Sequence, residues 1–114
     1  MISAQARKVY ENKKRLMLSI KQGAKRMRPV QICWLGKAQK VELAGSFDCW
    51  NKKYELRPQG APGNNGERLF VLDMRLYPGQ YETKFIVDGE WKVDHSKENR
   101  WRDGNCNNII RVQS

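Results

Sequence analysis

The stretch Phe85-Ile86-Val87-Asp88-Gly89-Glu90-Trp91 restricts the fold more than any other part of the chain. Asp-Gly between two short β-type runs is the signature of a type I′ hairpin, because both central turn residues need positive φ and few residue pairs tolerate it. Side chains alternate along a strand. The incoming strand therefore puts Tyr81, Thr83, Phe85 and Val87 on one face and Glu82, Lys84 and Ile86 on the other. Trp91 follows the turn directly, and the hairpin holds it near Lys84. Taken alone, the hairpin leaves two readings of Trp91: a core residue capping a sandwich, or an aromatic plate beside a hydrogen-bond donor.

The same period of two recurs through most of the chain. Residues 30–35, 40–44, 54–57, 68–76, 80–87, 90–93 and 108–112 read as strands. In the first of them Val30, Ile32 and Trp34 share a face, which makes Trp34 a core residue. Turns are expected at 36–39 and at Tyr77-Pro78-Gly79-Gln80. A flexible loop rich in Gly, Pro and Asn covers 59–66. Residues 45–51 read as a loop presenting Trp50, and 94–107 as a polar loop containing Trp101. About seven short strands with turn signals between them predict an all-β fold, an antiparallel immunoglobulin-like β-sandwich. At 114 residues the chain is long enough for one domain with a real core and too short for two.

Charge separates the N-terminus from the rest. The formal net charge is +10, and nine of the 22 basic residues fall within the first 28 positions against Glu11 alone. Without an internal proline and rich in Ala, Lys, Arg, Leu, Met and Gln, residues 3–27 read as a helix, with Ser3 as N-cap and Pro29 as stop signal. A heptad-like seam runs through Ile2, Ala6, Val9, Lys13, Leu16, Ile20, Gly23 and Met27. The chain thus divides into a basic helical, possible coiled-coil segment at 1–28 and a β-sandwich at 29–114. The helix is a candidate for docking a protein partner, an acidic surface, or its own domain. Because the remaining charges nearly balance, no nucleic-acid interface is expected on the sandwich. No apolar run approaches the roughly 18–20 residues that span a bilayer, and the basic N-terminus lacks the apolar core of a secretory signal.

Catalytic chemistry finds little to work with. The one histidine, His95, stands apart from any nucleophile motif, and the carboxylates are scattered over turns and exposed strand positions. Cys33, Cys49 and Cys106 lack metal-ligand spacing, so neither a metal nor another cofactor is expected, and reduced thiols are the expected state. Binding is better supported. Trp50, Trp91 and Trp101 fall outside the alternating core pattern. A pyranose ring has an apolar C–H face that stacks on indole and a rim of hydroxyls that Lys and Asn can bond. Trp50, Trp91 and Lys84, with the amides Asn105, Asn107 and Asn108, have the composition of such a site.

The motifs GSFDCW (45–50), LYPGQYETKFIVDGEW (76–91) and NNIIRV (107–112) occur in an order and spacing that resemble a family 48 carbohydrate-binding module, the type found as the glycogen-binding domain of AMP-activated kinase β subunits. The resemblance implies a sandwich of seven or eight strands that binds α-1,4-linked glucans such as starch, glycogen or maltooligosaccharides without catalysis. By residue match, Trp50 and Trp91 would stack on sugar, while Lys84 and Asn107 would bond its hydroxyls. Kinase-type modules carry a leucine and then Gly-Thr before that asparagine. Here Asn105 stands in the threonine's place, and Trp101 is a candidate to replace the leucine as an apolar clamp. YPGQYETKFIVDGEWKVD (77–94) is similar to plant chloroplast proteins that target other proteins to starch and join a coiled-coil segment to such a module. That likeness implies a plastid location and a scaffolding role. The alternatives are a regulatory protein-interaction module with weak or no glucan binding, and an accessory module of a starch-active enzyme or glucan phosphatase.

Overall fold

The computed structural model describes residues 26–114. The predicted basic helix and its heptad seam therefore lie outside the described residues, apart from Arg26 and Met27, which lead irregularly into the first strand. The strands in chain order are β1 (Arg28–Gly36), β2 (Val41–Gly45), β3 (Tyr54–Glu55), β4 (Arg57–Gln59), β5 (Arg68–Leu76), β6 (Gly79–Val87), β7 (Glu90–Lys92), β8 (Asn99–Arg102) and β9 (Asn105–Val112). They form two antiparallel sheets. The smaller has the order β1-β5-β4, and the larger runs β3-β2-β6-β9-β8 with β7 also paired to β6.

Alternation along the strands builds the core between the sheets. The nine-residue ladder of β1 and β5 sets Trp34 opposite Phe70 and Ile32 opposite Leu72. From the larger sheet come Val41, Leu43, Phe85 and Val87, which join Ile32 and Phe70 in one buried cluster. Trp34 packs on this cluster, as its alternation predicts, with its ring 5.9 Å from that of Phe70. It also lies over Gly36, where an added Cβ would come within 2.5 Å of the indole. The tight connection from β5 to β6 is closed by a tyrosine-corner bond, in which the Tyr81 hydroxyl donates to the Tyr77 carbonyl at 2.6 Å.

Two elements differ from the sequence expectation. The single strand predicted at 54–57 is split between the sheets, because Leu56 turns inward to become 1% exposed while its N–H donates to the Val41 carbonyl. Pro58 is thereby carried into β4, an edge strand where a missing N–H is tolerated. The second difference is β8, which lies in what reads as a polar loop. Its four residues are all exposed, so no apolar alternation betrays it. Its turn is a second Asp-Gly hairpin, Asp103-Gly104, with φ of 51° and 80°, joining Arg102 to its ladder partner Asn105. That dipeptide was the available signal.

Asn108 shows how this outer hairpin and the loop before it are held. It is 3% exposed. Its amide donates to the carbonyls of Asp94 (2.9 Å) and Glu98 (3.1 Å), and its side-chain oxygen accepts from the Asp94 N–H (2.9 Å). All of its bonds are therefore internal, so it is a structural residue and not a ligand-facing amide. Asn108→Ala strands several polar groups at once and should cost about 2–4 kcal/mol in urea denaturation. A loss below about 0.5 kcal/mol would contradict this role.

Candidate functional site

Lys84 stands where two ladders meet on one edge of β6. The β6–β9 ladder ends at Thr83 opposite Asn108, and the β6–β7 ladder begins at Phe85 opposite Lys92. Lys84 is the one residue between them. Trp91 is paired with Ile86, two positions along from Lys84 and hence on its face of the sheet. On the other side Asn107 precedes Asn108, and the pairing of Glu82 with Ile109 puts Asn105, Asn107 and Ile109 on that same outer face. The register thus aligns Trp91, Lys84, Asn107 and Asn105. Trp91 is 48% exposed beside Ile86, which is 1% exposed despite facing outward. That exposure makes Trp91 a surface residue and not a core residue.

The hairpin carrying Trp91 is pinned at its tip. Asp88 and Gly89 have φ of 50° and 83°, as a type I′ turn requires. The Asp88 carboxylate accepts from the backbone N–H groups of Gln39 (2.9 Å) and Lys40 (2.8 Å), while its own N–H donates to the Lys40 carbonyl (2.8 Å). A turn that reads as purely local is thus bonded to the β1–β2 connection.

Trp50 comes from the loop between β2 and β3. A 3₁₀ turn, Ser46–Asp48, ends with the Cys49 N–H bonded to the Ser46 carbonyl and the Trp50 N–H bonded to the Gly45 carbonyl, the Schellman pattern. Cys49 and Trp50 both have left-handed backbone, with φ of 57° and 59°, a cost of about 1–2 kcal/mol each for non-glycine residues. Asp48 offsets this cost. Its carboxylate accepts from the N–H groups of Asn51 and Lys52 (3.2 Å each) and from the Tyr54 hydroxyl (2.9 Å). Phe47 roots the loop in the core, and the Ser46 hydroxyl accepts from the Glu82 N–H (3.0 Å). Trp50 is 41% exposed. The chain then returns over the outer face, for the Lys53 ammonium stands 5.7 Å from the centre of the Trp91 ring.

Trp101 departs from expectation. It belongs to β8 and pairs with Cys106, which puts it on the face of Asn108 and Ile110, away from Trp91, Lys84 and Asn107. It is 69% exposed there. Sequence reading missed Asp48, Lys53 and the anchoring role of Asp88. Asp48 lies inside the GSFDCW motif, but its partners emerge only when the loop folds.

Comparison with known proteins bears on this geometry. Residues 28–114, the described sandwich almost in full, match the family model for the glycogen recognition site of AMP-activated protein kinase. The chain belongs to this family. It is 37% identical over 106 residues to rice (Oryza sativa subsp. japonica) FLOURY ENDOSPERM 6, a chloroplastic protein, covering 92% of this chain and 19% of that one. It is 35% identical over 107 residues to Arabidopsis thaliana PTST homolog 2, also chloroplastic, covering 94% and 19% respectively. To the rat (Rattus norvegicus) 5′-AMP-activated protein kinase subunit beta-1 the identity is 38% over 87 residues, 75% of this chain and 29% of the subunit. The chain therefore spans about a fifth of the length of the first two relatives.

The Asp48–Tyr54 bond can be tested by titration. Burial, followed by the hydrogen bond and negative charge of Asp48, raises the Tyr54 pKa above that of an ordinary tyrosine. A raised folded-state pKa contributes stability that is complete below the unfolded tyrosine value, about 10, and is lost as pH rises through the folded one. Asp48→Asn removes the charge and should shift one tyrosine titration downward in an absorbance experiment, with Tyr54→Phe identifying which. An unchanged titration in Asp48→Asn would refute the contact.

Proposed function

We propose that this sandwich binds α-1,4-linked glucans (starch, glycogen or maltooligosaccharides) and catalyses nothing. The observation that carries the reading is the outer face of the larger sheet. Lys84 lies between Trp91 and Asn107 on one surface, while Trp50, itself half exposed, enters from a loop braced on the same sheet. Trp50 and Trp91 would each stack on a glucose ring, with Lys84 and Asn107 bonding its hydroxyls and Asn105 adding a further amide. The family's description as a glycogen recognition site supports the same substrate class. Trp101 stays outside this reading because its ladder partner turns it to the opposite face.

Each stacking contact contributes on the order of 1 kcal/mol beyond area burial, so one module holds a single chain modestly and gains on a repetitive polymer through multivalency. The kinship with chloroplastic proteins supports a plastid setting, at starch. In that setting the module would bring a protein partner, docked through the basic N-terminal segment, to the glucan.

Calorimetry with maltoheptaose and retention on amylose test the site. Trp50→Ala and Trp91→Ala should each weaken binding roughly tenfold, and the double variant should lose retention. Trp101→Ala should stay within about twofold of the parent, a difference of no more than about 0.5 kcal/mol. Amylose retention by the folded double variant would sink the assignment.

A further inference from the structure

We infer that the glucan face is built for an α-glucan bearing an anionic substituent, a phosphate monoester, with Arg100 as the group that meets it; this rests on the glucan reading above. A neutral sugar needs an aromatic surface and directed hydrogen bonds, but no net charge. The face nevertheless carries cations beyond Lys84. β8 lies beside β9 with Arg100 opposite Asn107 and Arg102 opposite Asn105, so both guanidiniums leave the sheet on the side of Lys84 and Trp91.

Their electrostatic situations differ. Arg102 is already engaged, its Nη1 donating to Glu82 Oε2 at 3.2 Å. Arg111, further along β9, is held by Glu98 through Nε and Nη2 at 2.7–3.0 Å. Glu98 also senses the charge of Arg100, but its oxygens are taken by Arg111. Arg100 itself is exposed and forms no ion pair among the described residues. On the opposite flank Lys53 lies over Trp91 and not against a carboxylate.

The acids that face this region from the surrounding strands are accounted for. Glu82 answers Arg102, and Glu42 lies 3.9 Å from Lys40, while Glu90 pairs with inward-facing Val87 and so stands on the other face from Trp91. Glu55 is on the same face, opposite Glu42 on the edge strand β3, two strands away from Lys84. A line from Lys53 through Lys84 to Arg100 therefore crosses Trp91 and Asn107 with three cations, none of them ion-paired among the described residues. A planar guanidinium beside the hydroxyl-bonding amide is suited to a phosphate, whose oxygens it can bond two at a time. Such a monoester carries about −1.5 to −2 at neutral pH.

Calorimetry of the 114-residue chain with maltoheptaose, and with maltoheptaose carrying one phosphate monoester, at low and high salt tests the inference. The neutral ligand should bind with little dependence on salt. The phosphorylated ligand should bind roughly tenfold more tightly at low salt, the scale of one charge-assisted contact, and that advantage should shrink at high salt. Arg100→Gln should bring the ratio of the two affinities close to one, and Arg100→Lys should retain part of it. Equal affinity of the parent for both ligands at low salt, or an advantage that survives Arg100→Gln, would overturn the inference and leave Arg100 as a charge guarding an edge strand. Failure of the parent chain to bind neutral maltoheptaose would instead overturn the glucan reading.

Discussion

Strand β6 carries three hydrogen-bond ladders at once, to β2 along one edge and to β9 and β7 in succession along the other. Its alternation sends Thr83, Phe85 and Val87 into the interior, where they are no more than 5% exposed. Glu82, Lys84 and Ile86 go to the opposite face. Because a strand has a period of two, the residues that close the core also determine where Lys84 stands, and a slip of one position would exchange the two sets. The handover from β9 to β7 falls at Lys84. A tryptophan from one neighbouring strand and an asparagine from the other can therefore flank the same ammonium group.

What stiffens this arrangement is a pair of aspartates used as backbone acceptors. Asp88 gathers two N–H groups of the β1–β2 connection, and Asp48 gathers two of its own loop together with the Tyr54 hydroxyl. Charge-assisted bonds of this kind are stronger than neutral ones, which lets Cys49 and Trp50 keep a left-handed backbone without glycine. A binding surface held in advance loses less conformational entropy when a ligand arrives. The two tryptophans are accordingly presented by anchored devices, a tied hairpin and a capped turn.

Legibility in the sequence followed the strength of the local signal. The Asp88-Gly89 hairpin, the inward face of Trp34 and the long alternating strands could be read because turn chemistry and period-two burial are local properties. β8 could not be read from alternation, since an edge strand exposed on both sides has no apolar face to reveal it; only Asp103-Gly104 marked it. The break at Leu56 was hidden for another reason. Which sheet a short segment joins depends on strands distant in sequence, here β2 and β5.

The amino-acid order by itself determined the antiparallel β class, the hairpin beneath Trp91 and the identity of the aromatic and amide groups suited to a sugar, since propensity, turn geometry and side-chain chemistry act over a few residues. Tertiary structure decided how those groups are distributed between faces. It buried Asn108 in three internal bonds, turned Trp101 away through its pairing with Cys106, and brought Arg100 beside Asn107. The physical reason is register. A side chain's face is set by the strand it pairs with, and that partner is chosen by the packing of the whole sandwich.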